Sequence, residues 1–172
     1  YVLHSDVNSR VTNEDMLTFI GKSNLYAADL RYIFAPTGNA KQQEIIAQAE
    51  VFYRHEDGTY NDADAGTGTV AYDEGSYGWY AQGVYKFAPA WRIGARYSQL
   101  HAASTPMGLE GSALDSGGHN PYTVSVMGDW TSSEFGRVRV QYNREKLDNR
   151  GADNQFILQY IMSVGAHGAH AF

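Results

Sequence analysis

The chain has 172 residues, enough for one domain with a sizeable core, and its formal net charge at pH 7 is −6. With a pI of about 5.4, the chain lacks the basic surface that general nucleic-acid binding needs. It contains no cysteine, which excludes disulfides, thiolate metal sites and cysteine nucleophiles. No apolar run reaches the ~18 residues that suggest a membrane-spanning helix. The mean hydropathy of −0.44 is compatible with strands whose two faces differ.

Eight segments of the chain alternate apolar and other side chains with period two, which is the pattern of β-strands. In chain order they are a short segment at 1–7 and longer ones around 24–35, 43–55, 76–88, 91–102, 121–131, 135–146 and 154–172. The 13 tyrosines and 18 glycines against four prolines favour the same interpretation. We therefore expect a single all-β domain over residues 1–172 with about eight antiparallel strands.

The connections between these strands alternate in length. Residues 35–42, 88–90 and 131–134 are short turns, residues 8–23, 56–75 and 102–120 are long, and 147–153 is intermediate. Short turns then lie at one end of the strands and long loops at the other end. This is the up-and-down arrangement of outer-membrane barrels.

The apolar phase of the strands carries aromatic residues at its two ends and small residues between them. Along 76–88 the order is Tyr77 and Trp79, then Ala81 and Gly83, then Tyr85 and Phe87. A soluble barrel of the lipocalin kind also alternates, but its apolar face lies inside. Aromatic girdles at two membrane interfaces around an apolar band predict the order in this chain. We therefore interpret the fold as an antiparallel up-and-down transmembrane β-barrel.

The ending FILQYIMSVGAHGAHAF resembles the C-terminal signature strand of bacterial outer-membrane barrel proteins. Tyr160, Met162, Val164 and Phe172 match that pattern, while His170 stands where an apolar residue is commoner. The resemblance implies that the barrel-assembly machinery reads these four residues as an assembly signal. It also implies a porin-like barrel in the bacterial outer membrane, with its C-terminus at the periplasmic side. The ending is further similar to zinc-related and TonB-dependent receptor barrels, although the sequence shows no plug domain or TonB-box segment.

Closure of a barrel requires the first strand to pair with the last strand. The segment at 1–7 is shorter than the roughly 9–11 residues that a spanning strand needs. We therefore expect the chain to be the C-terminal part of a larger barrel. The alternative is a complete eight-stranded barrel with a frayed first strand.

The polar phase carries charges that would be unfavourable in lipid, by about 2–4 kcal/mol for a midplane Arg or Lys. We predict that a water-filled pore is lined by Asp29, Arg31, Glu50, Arg54, Lys86, Arg92, Arg96, Asp129, Arg137 and Arg139. A basic set of four of these arginines, from Arg92 to Arg139, would favour anionic solutes. The alternative is an ion-pair network that fills a narrow interior, with the three acidic members as counter-charges.

The long connection at 8–23 carries a candidate helix. Thr12 or Asn13 could cap a short helix that ends at Gly21. Such a helix could fold inward and narrow the pore. The alternative is a lid that packs at the rim.

The sequence predicts neither a metal site nor an active site. His55, His101 and His119 lie near the long-loop end, where a surface zinc site is conceivable, but ordinary loop histidines are commoner. His167 and His170 are three residues apart and so lie on opposite faces of a strand. No nucleophile elbow and no serine–histidine pairing has a recognisable spacing, so we expect no enzyme and no cofactor.

The function that these patterns favour is passive diffusion of small polar solutes through a charged, water-filled lumen. A structural, adhesion or complex-scaffolding barrel without transport is the alternative, and a metal-uptake receptor is a third possibility. The expected partners are the lipid bilayer, lipopolysaccharide and the barrel-assembly machinery. A homo-oligomer is left open, and no nucleic-acid partner is expected.

Overall fold

The computed structural model describes residues 1–12, 17–63, 66, 68–133, 135–149 and 151–162, and these residues form eight strands and no helix. The strands are β1 (Val2–Thr12), β2 (Leu17–Phe34), β3 (Glu44–Asp62), β4 (Gly68–Ala88), β5 (Trp91–His101), β6 (Tyr122–Ser133), β7 (Gly136–Lys146) and β8 (Asp153–Met162). Each strand pairs antiparallel with its neighbours in sequence, so the sheet order is β1 to β8. The prediction of an all-β, antiparallel, up-and-down fold with about eight strands is confirmed at this level.

The sheet is open over the described residues, because β1 and β8 form its two edges and do not pair with each other. We call the end where β2–β3, β4–β5 and β6–β7 are connected the turn side, and the opposite end the loop side. The described part of the chain contains no helix with the length and hydropathy needed to span a bilayer.

Two of the three predicted long loops are wrong over most of their length. β1 continues to Thr12 rather than ending near residue 7, and β2 already begins at Leu17. Likewise β3 extends to Asp62 and β4 begins at Gly68, so most of 56–75 is a hairpin. The helix expected before Gly21 is wrong where it can be compared, since Leu17 to Gly21 pair in β2; residues 13–16 lie outside the described residues.

The remaining boundaries lie close to the predictions. The long connection after β5 has no strand between His101 and Tyr122, as expected. β8 begins at Asp153 and is described to Met162. The part of the predicted last strand that covers residues 163–172 lies outside the described residues.

One face of the sheet is apolar and exposed, and its aromatic residues form two groups. The exposed fractions of Leu30, Phe156 and Leu158 on this face are 69%, 81% and 75%. The loop-side aromatic row consists of Tyr26, Tyr53, Tyr77, Trp79, Tyr97, Tyr122, Tyr142 and Phe156. The turn-side aromatic row consists of Tyr32, Phe34, Tyr85, Phe87, Trp91, Trp130 and Tyr160. Small and aliphatic residues lie between the two rows, so the predicted order along the apolar phase is present on the sheet.

The loop-side aromatic row crosses the hydrogen-bonded register of the sheet at an angle. The residues in register with Phe156 of β8 run through Tyr142 of β7 to Tyr32 of β2. Tyr32 lies about six residues beyond Tyr26, so the row shifts by about one residue per strand. With a rise of about 3.4 Å per residue and a strand spacing of about 4.8 Å, the strands are inclined by about 35° to the normal of the apolar band.

A small buried core lies on the opposite face, at the loop-side end of β2, β3 and β4. It consists of Leu17, Phe19, Tyr60 and Tyr72 together with Leu109 from the segment 102–121. The ring centroids of Phe19 and Tyr60 are 4.8 Å apart, and those of Tyr60 and Tyr72 are 4.9 Å apart. Leu109 is only 1% exposed, so the segment 102–121 is folded back onto this face rather than extended into solvent.

Candidate functional site

The ten residues predicted to line a pore all lie on the face opposite the aromatic rows, which we call the polar face. The register pairs Asp29 with Glu50, Lys86 with Arg92, and Asp129 with both Arg92 and Arg139. The remaining members, Arg31, Arg54, Arg96 and Arg137, are even numbers of residues from these on their own strands and so share their face. Alternation in the sequence therefore assigned this face correctly.

Asp129 is the centre of an ion-pair cluster on the polar face. Its side chain is 1% exposed, and Arg139 donates to both carboxylate oxygens, from Nε at 2.7 Å and from Nη2 at 3.0 Å. Arg137 Nη1 lies 3.6 Å from the same carboxylate. Two arginines of the predicted basic set are therefore paired with one buried acid.

The other two arginines of the basic set, Arg92 and Arg96, form no ion pair with a described residue. Arg92 is opposite Asp129 in the register but forms no ion pair with any residue that the structure describes. The guanidinium of Arg96 lies over the ring of Tyr80, 3.8 Å from the ring centroid. Stacking on an aromatic ring leaves the N–H groups at the edge of a guanidinium available for an anion.

Hydrogen bonds donated by side-chain amides connect the polar face across strands. Gln48 Nε2 donates to Tyr80 Oη at 3.0 Å, and Gln82 Nε2 donates to Gln48 Oε1 at 3.1 Å. A second chain of hydrogen bonds runs from Gln141 to Asn143 at 2.8 Å, from Asn143 to Gln155 at 3.4 Å and from Gln155 to Glu145 at 3.2 Å. Sequence reasoning missed Glu145 and Tyr80, although each shares the even spacing of polar-face residues on its own strand.

The polar face between β4 and β7 contains an open cavity of about 390 Å³. Its lining includes Arg96, Arg139 and Glu145, with the hydroxyl groups of Ser98, Thr123 and Ser125 between them. The acidic Glu145 lies toward the loop side, and both arginines lie toward the turn side. The lining therefore combines hydroxyl, amide and charged groups with the apolar side chains of Val84 and Met127.

A second polar cluster lies beyond the loop-side aromatic row, next to the buried core. Arg10 donates to both oxygens of Glu56, at 2.7 and 3.1 Å, and to Tyr60 Oη at 2.9 Å. Ser23 Oγ donates to Glu56 at 3.0 Å, and the predicted pore residue Arg54 lies 3.6 Å from the same carboxylate. Arg54 therefore belongs to this cluster rather than to the region around Asp129.

Burial and neighbouring charges shift the pKa of Glu56, in this second cluster, in opposite directions. Burial raises the pKa of Glu56, but the hydrogen bond from Arg10 and the nearby charge of Arg54 bring the pKa below its usual range. Burial also raises the pKa of the Tyr72 hydroxyl to about 12. Glu56 is therefore ionised and Tyr72 is neutral at physiological pH.

The three histidines near the loop-side end have different contact partners in the structure. The ring of His101 stacks on Tyr77 with centroids 4.2 Å apart, His119 Nε2 lies 3.1 Å from the carbonyl of Lys146, and His55 faces Asp73 at 3.3 Å. Among the described residues, no three metal-binding side chains converge. His167 lies outside the described residues, as does His170.

Two of the four predicted assembly-signal residues are described, and both lie on the apolar face. Tyr160 pairs with Val138, and Met162 pairs with Gly136 at the turn-side end of β8. Both side chains are exposed, at 67% for Tyr160 and 62% for Met162. Val164 and Phe172 lie outside the described residues.

No family model and no solved structure matches the chain. The chain is similar to an uncharacterized protein of Aquifex aeolicus (strain VF5), with 28% identity over 175 residues. The similarity covers 96% of this chain and 34% of the Aquifex protein, so the chain spans about a third of the length of that relative.

Proposed function

We propose that the chain forms part of a porin-like β-barrel of the bacterial outer membrane, through which small polar solutes diffuse passively. The observation that carries the proposal is the sorting of side chains on the sheet. One face exposes large apolar residues between two aromatic rows, and the other face carries the charges and amides. Water would penalise the first face and lipid would penalise the second, so the sheet suits a wall between the two.

The dimensions of the apolar face support a membrane location. Tyr77 and Tyr85 of β4 stand in the two aromatic rows and are about eight residues apart, or roughly 27 Å along the strand. At an inclination of about 35° the apolar band is about 22 Å tall, close to the ~25 Å band of outer-membrane barrels. The inclination itself lies in the range of about 35–45° for such strands.

The two edge strands, β1 and β8, would need pairing partners in the proposed barrel. Unpaired backbone groups of an edge strand are strongly unfavourable in the hydrocarbon core, so β1 and β8 need partners there. The two strands could pair with each other or with additional strands of a larger barrel. The length of the Aquifex relative, about three times that of this chain, favours the larger barrel.

The charges of the polar face supply the selectivity of the proposed channel. Lys86, Arg92 and Arg96 are cations that form no ion pair with any described residue. In a water-filled lumen these cations raise the local concentration of anions. β8 runs from the loop side to the turn side, so the turn side would face the periplasm and the loop side would face lipopolysaccharide and the exterior.

The second candidate is a barrel that does not transport and serves as a structural or scaffolding partner. The cluster around Asp129 and the amide hydrogen bonds on β7 favour it, because such contacts fill the interior of narrow barrels. Pore current separates the two candidates.

The test is single-channel conductance of the full-length protein in planar bilayers. We expect discrete current steps, and reversal potentials in a KCl gradient that indicate anion preference. The double variant Arg92→Glu, Arg96→Glu should shift the preference toward cations, whereas Lys22→Glu on the opposite face should leave it unchanged. Absence of pore current from folded protein would contradict the channel and favour the scaffolding barrel.

A further inference from the structure

Three hydroxyl groups lie close together in the cavity between β4 and β7, and none of them bonds a described residue. Ser98 is directly opposite Thr123 in the register, and Ser125 follows Thr123 by two residues on β6. Neighbouring strands are about 4.8 Å apart, and two residues of strand span about 7 Å. Because each of these oxygens is attached directly to a Cβ atom, the backbone fixes their positions and keeps them within reach of one small molecule.

An apolar patch lies next to these hydroxyl groups on the same face. If Gly94 had a Cβ atom, that atom would lie 2.7 Å from the methyl carbon of Met127 and 3.2 Å from a methyl carbon of Val84. Both side chains therefore end over the Gly94 backbone. Met127 is two residues from Ser125 on β6, so the apolar patch adjoins the hydroxyl groups.

Side-chain amides form one wall of the cavity. Asn143 is directly opposite Ser125 in the register and is 7% exposed. Its amide group is held on both sides, because Gln141 donates to it at 2.8 Å and it donates to Gln155 at 3.4 Å. This chain of hydrogen bonds holds the wall in place beside Ser125.

The charged side chains of the lining are engaged away from the centre of the cavity. The guanidinium of Arg96 lies over the ring of Tyr80, and Arg139 belongs to the ion-pair cluster around its buried carboxylate. Glu145 accepts a hydrogen bond from Gln155 at 3.2 Å. The centre of the cavity therefore offers hydroxyl, amide and methyl groups. An ion would lose hydration there without gaining a counter-charge, whereas an uncharged polar solute would regain its hydrogen bonds.

We propose that this cavity is a subsite for an uncharged solute with several hydroxyl groups, of the size of a monosaccharide. Hydroxyl groups of such a solute donate and accept, as do those of Ser98, Thr123 and Ser125. Its C–H groups pack on Val84 and Met127. The cavity volume of about 390 Å³ lies at the lower end of the range for small-molecule sites. The proposal rests on the proposed function, because the lumen is the route by which a solute reaches this cavity.

The test is titration of D-glucose into the full-length protein, folded in micelles of lauryldimethylamine oxide, a detergent without a sugar headgroup. The readout is the NMR signal of the isotope-labelled methyl group of Met127, which is assigned from its loss in Met127→Leu. We expect a saturable displacement of this signal with a dissociation constant in the millimolar range. Thr123→Val keeps the shape of the side chain without its hydroxyl group and should weaken binding about fivefold, as should Ser125→Ala.

Matched controls separate this site from general effects of the solute. Thr131→Val changes the same side chain on the same strand and face but outside the cavity, so the dissociation constant should stay within about twofold. Tetrahydropyranylmethanol keeps the sugar ring with a single hydroxyl group and should bind about tenfold more weakly than glucose. Glycine, which is a zwitterion, and inorganic phosphate should not displace the signal.

Three results would overturn the proposal. These are no saturable displacement by glucose, equal affinity for glycine or tetrahydropyranylmethanol, and unchanged affinity in both hydroxyl variants. Because binding is measured without current, these outcomes are distinct from failure of the channel. Glucose binding by a protein that passes no current would support the subsite and contradict passive diffusion.

Discussion

At the scale of single residues, the charges of this chain fall into two kinds with different consequences. Arg139 donates two hydrogen bonds to the Asp129 carboxylate, which fixes both side chains on the sheet. Because their charges cancel, the pair adds little net charge to the polar face. Arg92 and Arg96 lack such a partner among the described residues, so no described carboxylate neutralises their positive charge. Substitutions in the first group should mainly affect stability, and substitutions in the second group should mainly affect solute preference.

Glu56 is the acidic residue on which the loop-side cluster depends. Replacement by Gln removes the charge that Arg10 and Arg54 face and weakens the bonds from Arg10 and Ser23. We expect the free energy of unfolding to fall by about 2 kcal/mol, measured by urea titration in detergent micelles. Glu74→Gln is the matched control, because Glu74 lies directly opposite Glu56 and its removal relieves a like-charge contact. A loss of the same size in the control would contradict the role of Glu56.

The lowered pKa of Glu56 gives the same contact a defined pH dependence. A carboxylate whose pKa is lower in the folded state adds stability above its unfolded pKa of about 4.3. That contribution is lost as the pH falls through the lowered folded value. The difference in unfolding free energy between the natural protein and Glu56→Gln should therefore be constant from about pH 6 to pH 8 and shrink below about pH 4. A difference that stays constant down to pH 3 would show that the carboxylate charge is not involved.

At the scale of elements, β2 and β3 approach closely at a pair of glycines. A methyl group at position 58 would meet the carbonyl oxygen of Ile20 and lie 2.6 Å from the Cα atom of Gly21. Gly58→Ala should therefore displace one strand and lower the unfolding free energy by about 1–3 kcal/mol in urea titrations. In Gly83→Ala the new methyl group meets nothing within 4 Å, so stability should change by less than about 0.5 kcal/mol. Similar losses in both variants would exclude the steric explanation.

The segment 102–121 packs on the buried core through Leu109, with Ala103 and Leu114 partly buried beside it. Leu109 is 1% exposed, whereas Met107 in the same segment is 87% exposed. Leu109→Ala removes about 2–3 kcal/mol or more of buried packing and should release the segment. Limited proteolysis should then cut within 102–121 at least tenfold faster, while Met107→Ala should be cut at the natural rate. Equal rates in the two variants would contradict docking through Leu109.

The elements that alternation could predict are those where charge and aromatic residues mark the two faces. The strand around 76–88 was predicted on that basis, and β4 contains all of it. The loop-side parts of β2 and β3 were missed because Leu17, Phe19 and Tyr60 put apolar side chains on the face that carries charges further along the same strands. Their strand conformation is determined by pairing across the sheet, and pairing partners cannot be derived from a local pattern.

For the candidate site, the sequence likewise predicted which residues share a face but not which of them touch. Even spacing placed the ten charged residues on one face, but only the structure shows that Asp129 meets Arg139 and that Arg10 meets Glu56. The docking of Leu109 was not predictable, because no periodic pattern connects the segment 102–121 to the sheet. Contacts between distant segments depend on how the sheet brings them together.

At the scale of the whole molecule, the two inclined aromatic rows predict how deep individual residues lie in a bilayer. If the sheet crosses a bilayer, Trp79 lies at one interface, while Trp91 and Trp130 lie together at the other, with ring centroids 6.5 Å apart. Leu30 stands between the two rows of β2 and belongs near the midplane. A sheet whose apolar face instead met another protein surface would not order these positions by membrane depth.

Fluorescence quenching by brominated lipids measures this order directly. In single-tryptophan variants of the reconstituted full-length protein, Trp79, Trp91 and Trp130 should be quenched most by bromines near the headgroup end of the acyl chain. Leu30→Trp in a tryptophan-free background should be quenched most by bromines near the chain terminus, because about four residues of inclined strand separate it from Tyr26. Lys41→Trp in the turn between β2 and β3 is the water-exposed control and should resist quenching. Quenching of Leu30→Trp no deeper than that of Trp79 would contradict the proposed position of the apolar band in the membrane.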